Sequence, residues 1–199
     1  LFLLCVAICV LSINSFAATW NAATTPQTAS VTNFVHAESS SKIFAVTADD
    51  GVYRSFDGGQ NWNRCLLTQE TQVATCAAIN KKGNLYIGTI SDGVFMSTDD
   101  GSSWTALPNG MTNKGIMSMA IDKNQNLYAG GWLEGGLYYS SNEGQNWISL
   151  GLENHDLTTL FVDTKSTIYA YADQVGLIYS NNLGAKWDTL DIPVNYLTD

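Results

Sequence analysis

Short stretches in which apolar and polar side chains alternate recur along the chain, separated by residues that favour turns. Alternation with a period of two marks half-buried β-strands. One set reads GVYRS (51–55), GVFMS (93–97), GLYYS (136–140) and GLIYS (176–180). Before each comes a second: KIFAVT (42–47), NLYIGT (84–89), NLYAGG (126–131) and TIYAYA (167–172). A third, richer in small residues, precedes that: TNFVHA (32–37), VATCAAI (73–79), IMSMAID (116–122) and LTTLFVD (157–163). Segments opening at a tryptophan, such as NWNRCLL and NWISLGL, supply a fourth strand.

The four sets repeat together. Trp20, Trp62, Trp104, Trp147 and Trp187 are separated by 42, 42, 43 and 40 residues, a period that marks a repeat architecture. The last four each close an octapeptide with the pattern S-x-[DN]-x-G-x-x-W: Ser55, Asp57, Gly59, Trp62; Ser97, Asp99, Gly101, Trp104; Ser140, Asn142, Gly144, Trp147; and Ser180, Asn182, Gly184, Trp187. Asp or Asn at the third position accepts backbone N–H groups of its own turn, and Gly two residues on supplies positive φ. The octapeptide thus predicts the turn between third and fourth strands, with Trp opening the outer strand and its indole N–H free to reach a partner. Four strands per repeat joined by hairpins predict an all-β fold, a β-propeller of four-stranded antiparallel blades with four complete repeats.

The octapeptide resembles the Asp-box, or BNR, repeat of sialidases, xyloglucanase-type glycosidases, sortilin-like receptors and photosystem II assembly factors, and the likeness runs over 18–199. In those families the motif is a folding element away from the ligand site, which implies a structural role for these sixteen residues. Asn142 and Asn182 keep the acceptor and lose the charge.

Residues 1–17 carry no charge, hold an apolar run from Leu1 to Leu11 and end in Ser15, Phe16 and Ala17, as a secretory signal does. The run is short for a bilayer span, so no stable membrane insertion is expected. A secreted or periplasmic placement follows, with the signal at 1–17 and the propeller at 18–199. Without Met or a basic start, and with Trp20 one period ahead of Trp62, the chain reads as a fragment of a larger propeller; a compact four-bladed ring is the alternative. Cys65 and Cys76, on an outer and an inner strand about 14 Å apart by strand spacing, are expected to stay free.

Charge narrows the partners. Eighteen acidic residues face nine basic ones for a net charge of −9, which disfavours nucleic acid. Of the basic residues only Arg54 and Arg64 are arginines, too few for the arginine cluster that clamps a sialoside, and Arg54 is expected at the surface. Loops between second and third strands gather at one mouth of a propeller, and here they carry Asp49, Asp50, Asp92, Trp132, Glu134 and Asp173. Such a ring favours cations, basic peptides or sugars, although Asp-Gly is also good hairpin chemistry. Asp50 resembles a catalytic carboxylate of xyloglucanase-type enzymes and Asp92 is the other candidate, since glycosidases need two carboxyls. The longer motif around the acid is unmatched. Asp122-x-Asn124-x-Asn126 starts like a calcium loop but lacks its Gly and Glu and reads as a hairpin turn. His36 and His155 lack ligand spacing, so neither metal nor cofactor is expected. The sequence therefore points to a non-catalytic propeller that binds protein or glycan, with a glycoside hydrolase completed by further blades as the alternative.

Overall fold

The computed structural model describes residues 30–37, 40–48, 50–67 and 73–190. The expected signal, Trp20 and Asp49 lie outside them. Sixteen strands form four antiparallel sheets, each built in chain order from four consecutive strands. The first blade is β1 (Val31–His36), β2 (Ile43–Thr47), β3 (Gly51–Ser55) and β4 (Asn63–Cys65). The second is β5 (Ala74–Ile79), β6 (Leu85–Thr89), β7 (Val94–Ser97) and β8 (Thr105–Ala106). The third is β9 (Ile116–Ile121), β10 (Leu127–Gly131), β11 (Leu137–Ser140) and β12 (Ile148–Ser149), and the fourth is β13 (Leu157–Val162), β14 (Ile168–Ala172), β15 (Gly176–Ser180) and β16 (Asp188–Thr189).

The cores lie between blades, because each sheet is apolar on both faces. One face of the first blade (Phe44, Val46, Val52, Cys65) packs on Leu85, Ile87, Phe95 and Trp104 of the second. The same positions recur at the second junction, where Tyr86 and Val94 meet Leu127, Ala129, Tyr138 and Trp147, and at the third, where Tyr128 and Leu137 meet Ile168, Ala170 and Ile178. The continuing face of the fourth blade carries Phe161, Tyr169, Tyr171 and Tyr179, with Phe161 and Tyr171 exposed. The inner strands β1, β5, β9 and β13 pack in succession and exchange side-chain bonds: Asn33 Oδ1 accepts Ala77 N at 3.2 Å, and Ser118 Oγ donates to Leu157 O at 2.6 Å. Close approach explains the small residues on the second strands. A Cβ on Gly88 would fall 2.6 Å from Cys76 Sγ and 2.7 Å from Ile116 Cγ2.

All four Asp-box turns share one hydrogen-bond network. The Ser hydroxyl donates to the Asp or Asn Oδ1 at 2.8–2.9 Å and accepts the Gly N–H at 2.7–2.9 Å. The same Oδ1 takes the N–H of Asn61, Ser103, Asn146 or Lys186, four residues on. With one hydrogen and two lone pairs, the hydroxyl bridges carboxyl and backbone at once. Where the carboxyl is Asp these bonds favour its charged form. The Asn61 N–H and side chain foremost hold Asp57 at a pKa of about 2, and the Ser103 hydroxyl and N–H do the same for Asp99.

Three details differ from the sequence reading. Each Trp sits one residue before its outer strand, and the outer strands of the last three blades are only two residues long. The indole N–H of Trp62 reaches Gly59 O (3.0 Å) and that of Trp147 reaches Leu107 O (2.8 Å), but those of Trp104 and Trp187 are buried without a partner among the described residues. Trp104 is held by apolar packing alone. Arg54 is not a free surface residue. It lies on the face that meets the next blade, where its Nη1 donates to Asp100 O (2.8 Å) and Ser102 Oγ (2.7 Å). Cys65 and Cys76 are free and buried.

Candidate functional site

The acidic mouth is built from the hairpins that join second to third strands and the crossovers that join blades. The first two hairpins are alike. Thr47 and Thr89 each donate from Oγ1 to the carbonyl of Gly51 or Gly93 (2.9 Å) and accept the N–H of Asp50 or Asp92, and both glycines have φ of 84°. The hydroxyl and the glycine close the turn at low cost, which leaves the Asp side chain for other partners.

Those partners differ between blades. Asp50 accepts a short hydrogen bond from Tyr53 and pairs through Oδ1 with Arg64 Nη2 at 3.2 Å, while Arg64 Nε holds the Asp50 carbonyl at 2.9 Å. Register explains the triangle, since Tyr53 and Arg64 stand opposite each other on β3 and β4. Burial first, then the Asp50 hydrogen bond and charge, raise the pKa of the Tyr53 hydroxyl. Among the described residues the Asp92 carboxylate takes only the neighbouring Ser91 hydroxyl, at 3.2 Å.

In the crossover from third to fourth blade and in the fourth hairpin the carboxylates are tied to backbone. Asp156 Oδ1 accepts Glu134 N and Asp173 Oδ1 accepts Asp156 N, each at 2.8 Å. His155 Nδ1 lies 3.1 Å from the Asp173 carbonyl and 3.6 Å from its carboxylate. The Asp156 N–H, then the Gln174 amide, lower the pKa of Asp173. The Glu134 side chain is exposed, and Trp132 is half-buried, with its backbone N–H on Gly115 O at 2.8 Å. Glu134, Asp156, Asp173 and His155 are thus linked, and Asp50 is held by residues of its own blade. His155, which lacks ligand spacing, and Asp156 belong to no motif, yet the polar run 153–156 of the crossover meets the fourth hairpin at Asp173. Among the described residues no three His, Cys, Asp or Glu side chains are placed to hold a metal ion. No helix there is long and apolar enough to cross a membrane.

A cavity of about 570 Å³ opens at the other end of the channel, between the turns that join first to second strands. His36, Asn80, Lys81, Asp122, Lys123 and Asp163 line it. Its acceptors are engaged in their own turns: Asp122 Oδ1 takes Asn124 N and Asn126 N (both 2.9 Å), and Asp163 Oδ1 takes Lys165 N and Thr167 N (both 2.8 Å). The segment that begins like a calcium loop is therefore a self-satisfied hairpin turn. The mouth leaves Asp92 and Glu134 with fewer protein partners, and it remains the better candidate.

Residues 68–197 match the DUF6242 beta propeller domain. The chain belongs to that family. No curated protein matches this DUF6242 propeller significantly. Among solved structures, YCF48 bound to D1 peptide superposes with a TM-score of 0.60 at 13% identity, over 82% of this chain and 54% of that one. A GH74 enzyme from Niastella koreensis gives 0.62 at 20% identity, over 80% and 24%. The extracellular domain of a one component system from B. thetaiotaomicron gives 0.67 at 18% identity, over 87% and 23%. At these identities the likeness is one of fold, and the DUF6242 chain spans about half to a quarter of the length of these structures.

Proposed function

We propose that this chain is a secreted or periplasmic propeller module that binds a protein or glycan at its acidic mouth and does no covalent chemistry there. One observation carries the reading. Asp50, the carboxylate that resembles a glycosidase acid, is already engaged by Tyr53 and Arg64, whereas half-buried Asp92 bonds only Ser91 among the described residues and the Glu134 side chain is exposed, which supports these two as the groups that meet a ligand. The half-buried Trp132 beside Glu134 adds an aromatic edge suited to a peptide or a sugar ring. The fold is shared with YCF48 bound to a peptide and with an extracellular domain, which supports both the binding role and the placement outside the cytoplasm.

The test pairs binding with turnover. The full chain is applied to a glycan array and to displayed peptides, and incubated in parallel with β-glucans and sialosides. Capture of a ligand without release of sugar is expected. Sugar release that disappears in Asp50→Ala would overturn the proposal in favour of a hydrolase.

A further inference from the structure

The third mouth hairpin is built differently from its sisters. In the first and second blades the turn is completed by Gly51 and Gly93, residues that adopt positive φ without a steric penalty. The third, 131–136, keeps that glycine as Gly136 (φ 70°), is closed by Gly131 N on Gly136 O at 2.7 Å, and adds a tip that turns at Leu133 and Glu134, with φ of 52° and 60°. A tip with two successive positive φ angles is where Asn-Gly is the usual choice, and neither Leu nor Glu adopts that conformation readily. Elsewhere among the described residues two successive positive φ angles always include a glycine, as at Asp100–Gly101, Glu143–Gly144, Gly151–Leu152 and Leu183–Gly184.

The surroundings enforce the conformation. Asn113 Nδ2 donates to both the Trp132 carbonyl (3.0 Å) and the Leu133 carbonyl (3.1 Å), and Asp156 Oδ1 takes the Glu134 N–H at 2.8 Å. Asn113 is itself set by its Oδ1 bond from Gly115 N at 2.8 Å. Residues from two crossovers thus hold a strained tip whose leucine is 67% exposed. An exposed leucine alone is ordinary. Here the same side chain is disfavoured twice, by its backbone and by water, at a tip inserted ahead of Gly136, which itself keeps the positive φ of Gly51 and Gly93. Strain retained under such support marks a functional segment.

We infer that hairpin 131–136 is the grip of the mouth, and that its partner is a protein segment pairing apolar side chains with a Lys or Arg. Leu133 and Trp132 supply the apolar contact, and Glu134 supplies the charge, reinforced by the field of Asp156 and Asp173. Asn113 and Asp156 are positioning residues. The inference rests on the binding reading above and narrows it to protein.

The experiment pans random peptides displayed on phage against the full chain and compares wild type with the double variant Leu133→Asn, Glu134→Gly. Enriched peptides are expected to carry apolar residues beside Lys or Arg and to bind the variant more than tenfold more weakly. The variant is expected to melt about 2–4 °C higher, because its tip is relaxed. Peptides that bind both proteins equally would overturn the grip while leaving a binding mouth elsewhere. No enrichment at all would overturn the protein-binding reading and the grip with it. A variant that melts no higher than wild type would remove the strain on which the inference stands.

Discussion

Ser97→Ala is the sharpest probe of the Asp-box as a folding element. Ser97 is 1% exposed, donates to Asp99 Oδ1 at 2.8 Å and accepts the buried Gly101 N–H at 2.7 Å. Alanine removes both bonds and offers nothing to the N–H. A net hydrogen bond contributes about 1 kcal/mol, and a buried donor left unpaired costs about 1–3 kcal/mol, so the loss should be roughly 2–4 kcal/mol. For a chain of this length that corresponds to a fall in Tm of roughly 4–16 °C. Thermal unfolding followed by circular dichroism reads it, with Ser91→Ala at an exposed position as control. A fall no larger than the control's would refute the reasoning, because the hydroxyl bridge would then contribute nothing. Asp99→Asn should cost much less than Ser97→Ala, since Asn142 and Asn182 perform the same acceptance.

Further outcomes are expected on the same grounds. Folding lowers the pKa of Asp57 and Asp99 to about 2, so their contribution to stability is present above pH ~4 and lost as pH falls from there toward 2; the double variant Asp57→Asn, Asp99→Asn should show a shallower drop in Tm across that window. Gly88→Ala should destabilise by about 1–3 kcal/mol in urea titration, because its Cβ meets Cys76 Sγ and Ile116 Cγ2 at 2.6 and 2.7 Å. Burial pushes the Cys65 thiol up to about 11 and the Cys76 thiol up to about 12, so iodoacetamide at pH 8 should leave both unmodified in the native protein and label both in urea, as mapped by mass spectrometry.

The Asp-box turns were legible in sequence because their chemistry admits few residues. A hydroxyl must bridge carboxyl and backbone, and the fifth position needs positive φ, as Gly59, Gly101, Gly144 and Gly184 show. Strands one to three of each blade follow from their alternation, while the outer strands of the last three blades, two residues long, leave almost no periodic signal. The mouth was legible as a set of loops and not as a set of partners. That Asp50 pairs with Arg64 depends on the β3–β4 register, and that Arg54 reaches Asp100 depends on which face meets the next blade. His155 and Asp156 sit in a crossover with no motif, and only the fold brings them against Asp173.

The central claim is that the working surface is the mouth and that the Asp-box turns serve the fold. It is tested most directly by measuring the affinity of the ligands captured on peptide and glycan arrays for three proteins: wild type, the mouth variant Asp92→Asn, Glu134→Gln, Asp173→Asn, and Asp99→Asn. The mouth variant is expected to stay folded and lose the captured ligands while Asp99→Asn retains them. Ligands held undiminished by the mouth variant, or lost with a folded Asp99→Asn, would contradict it.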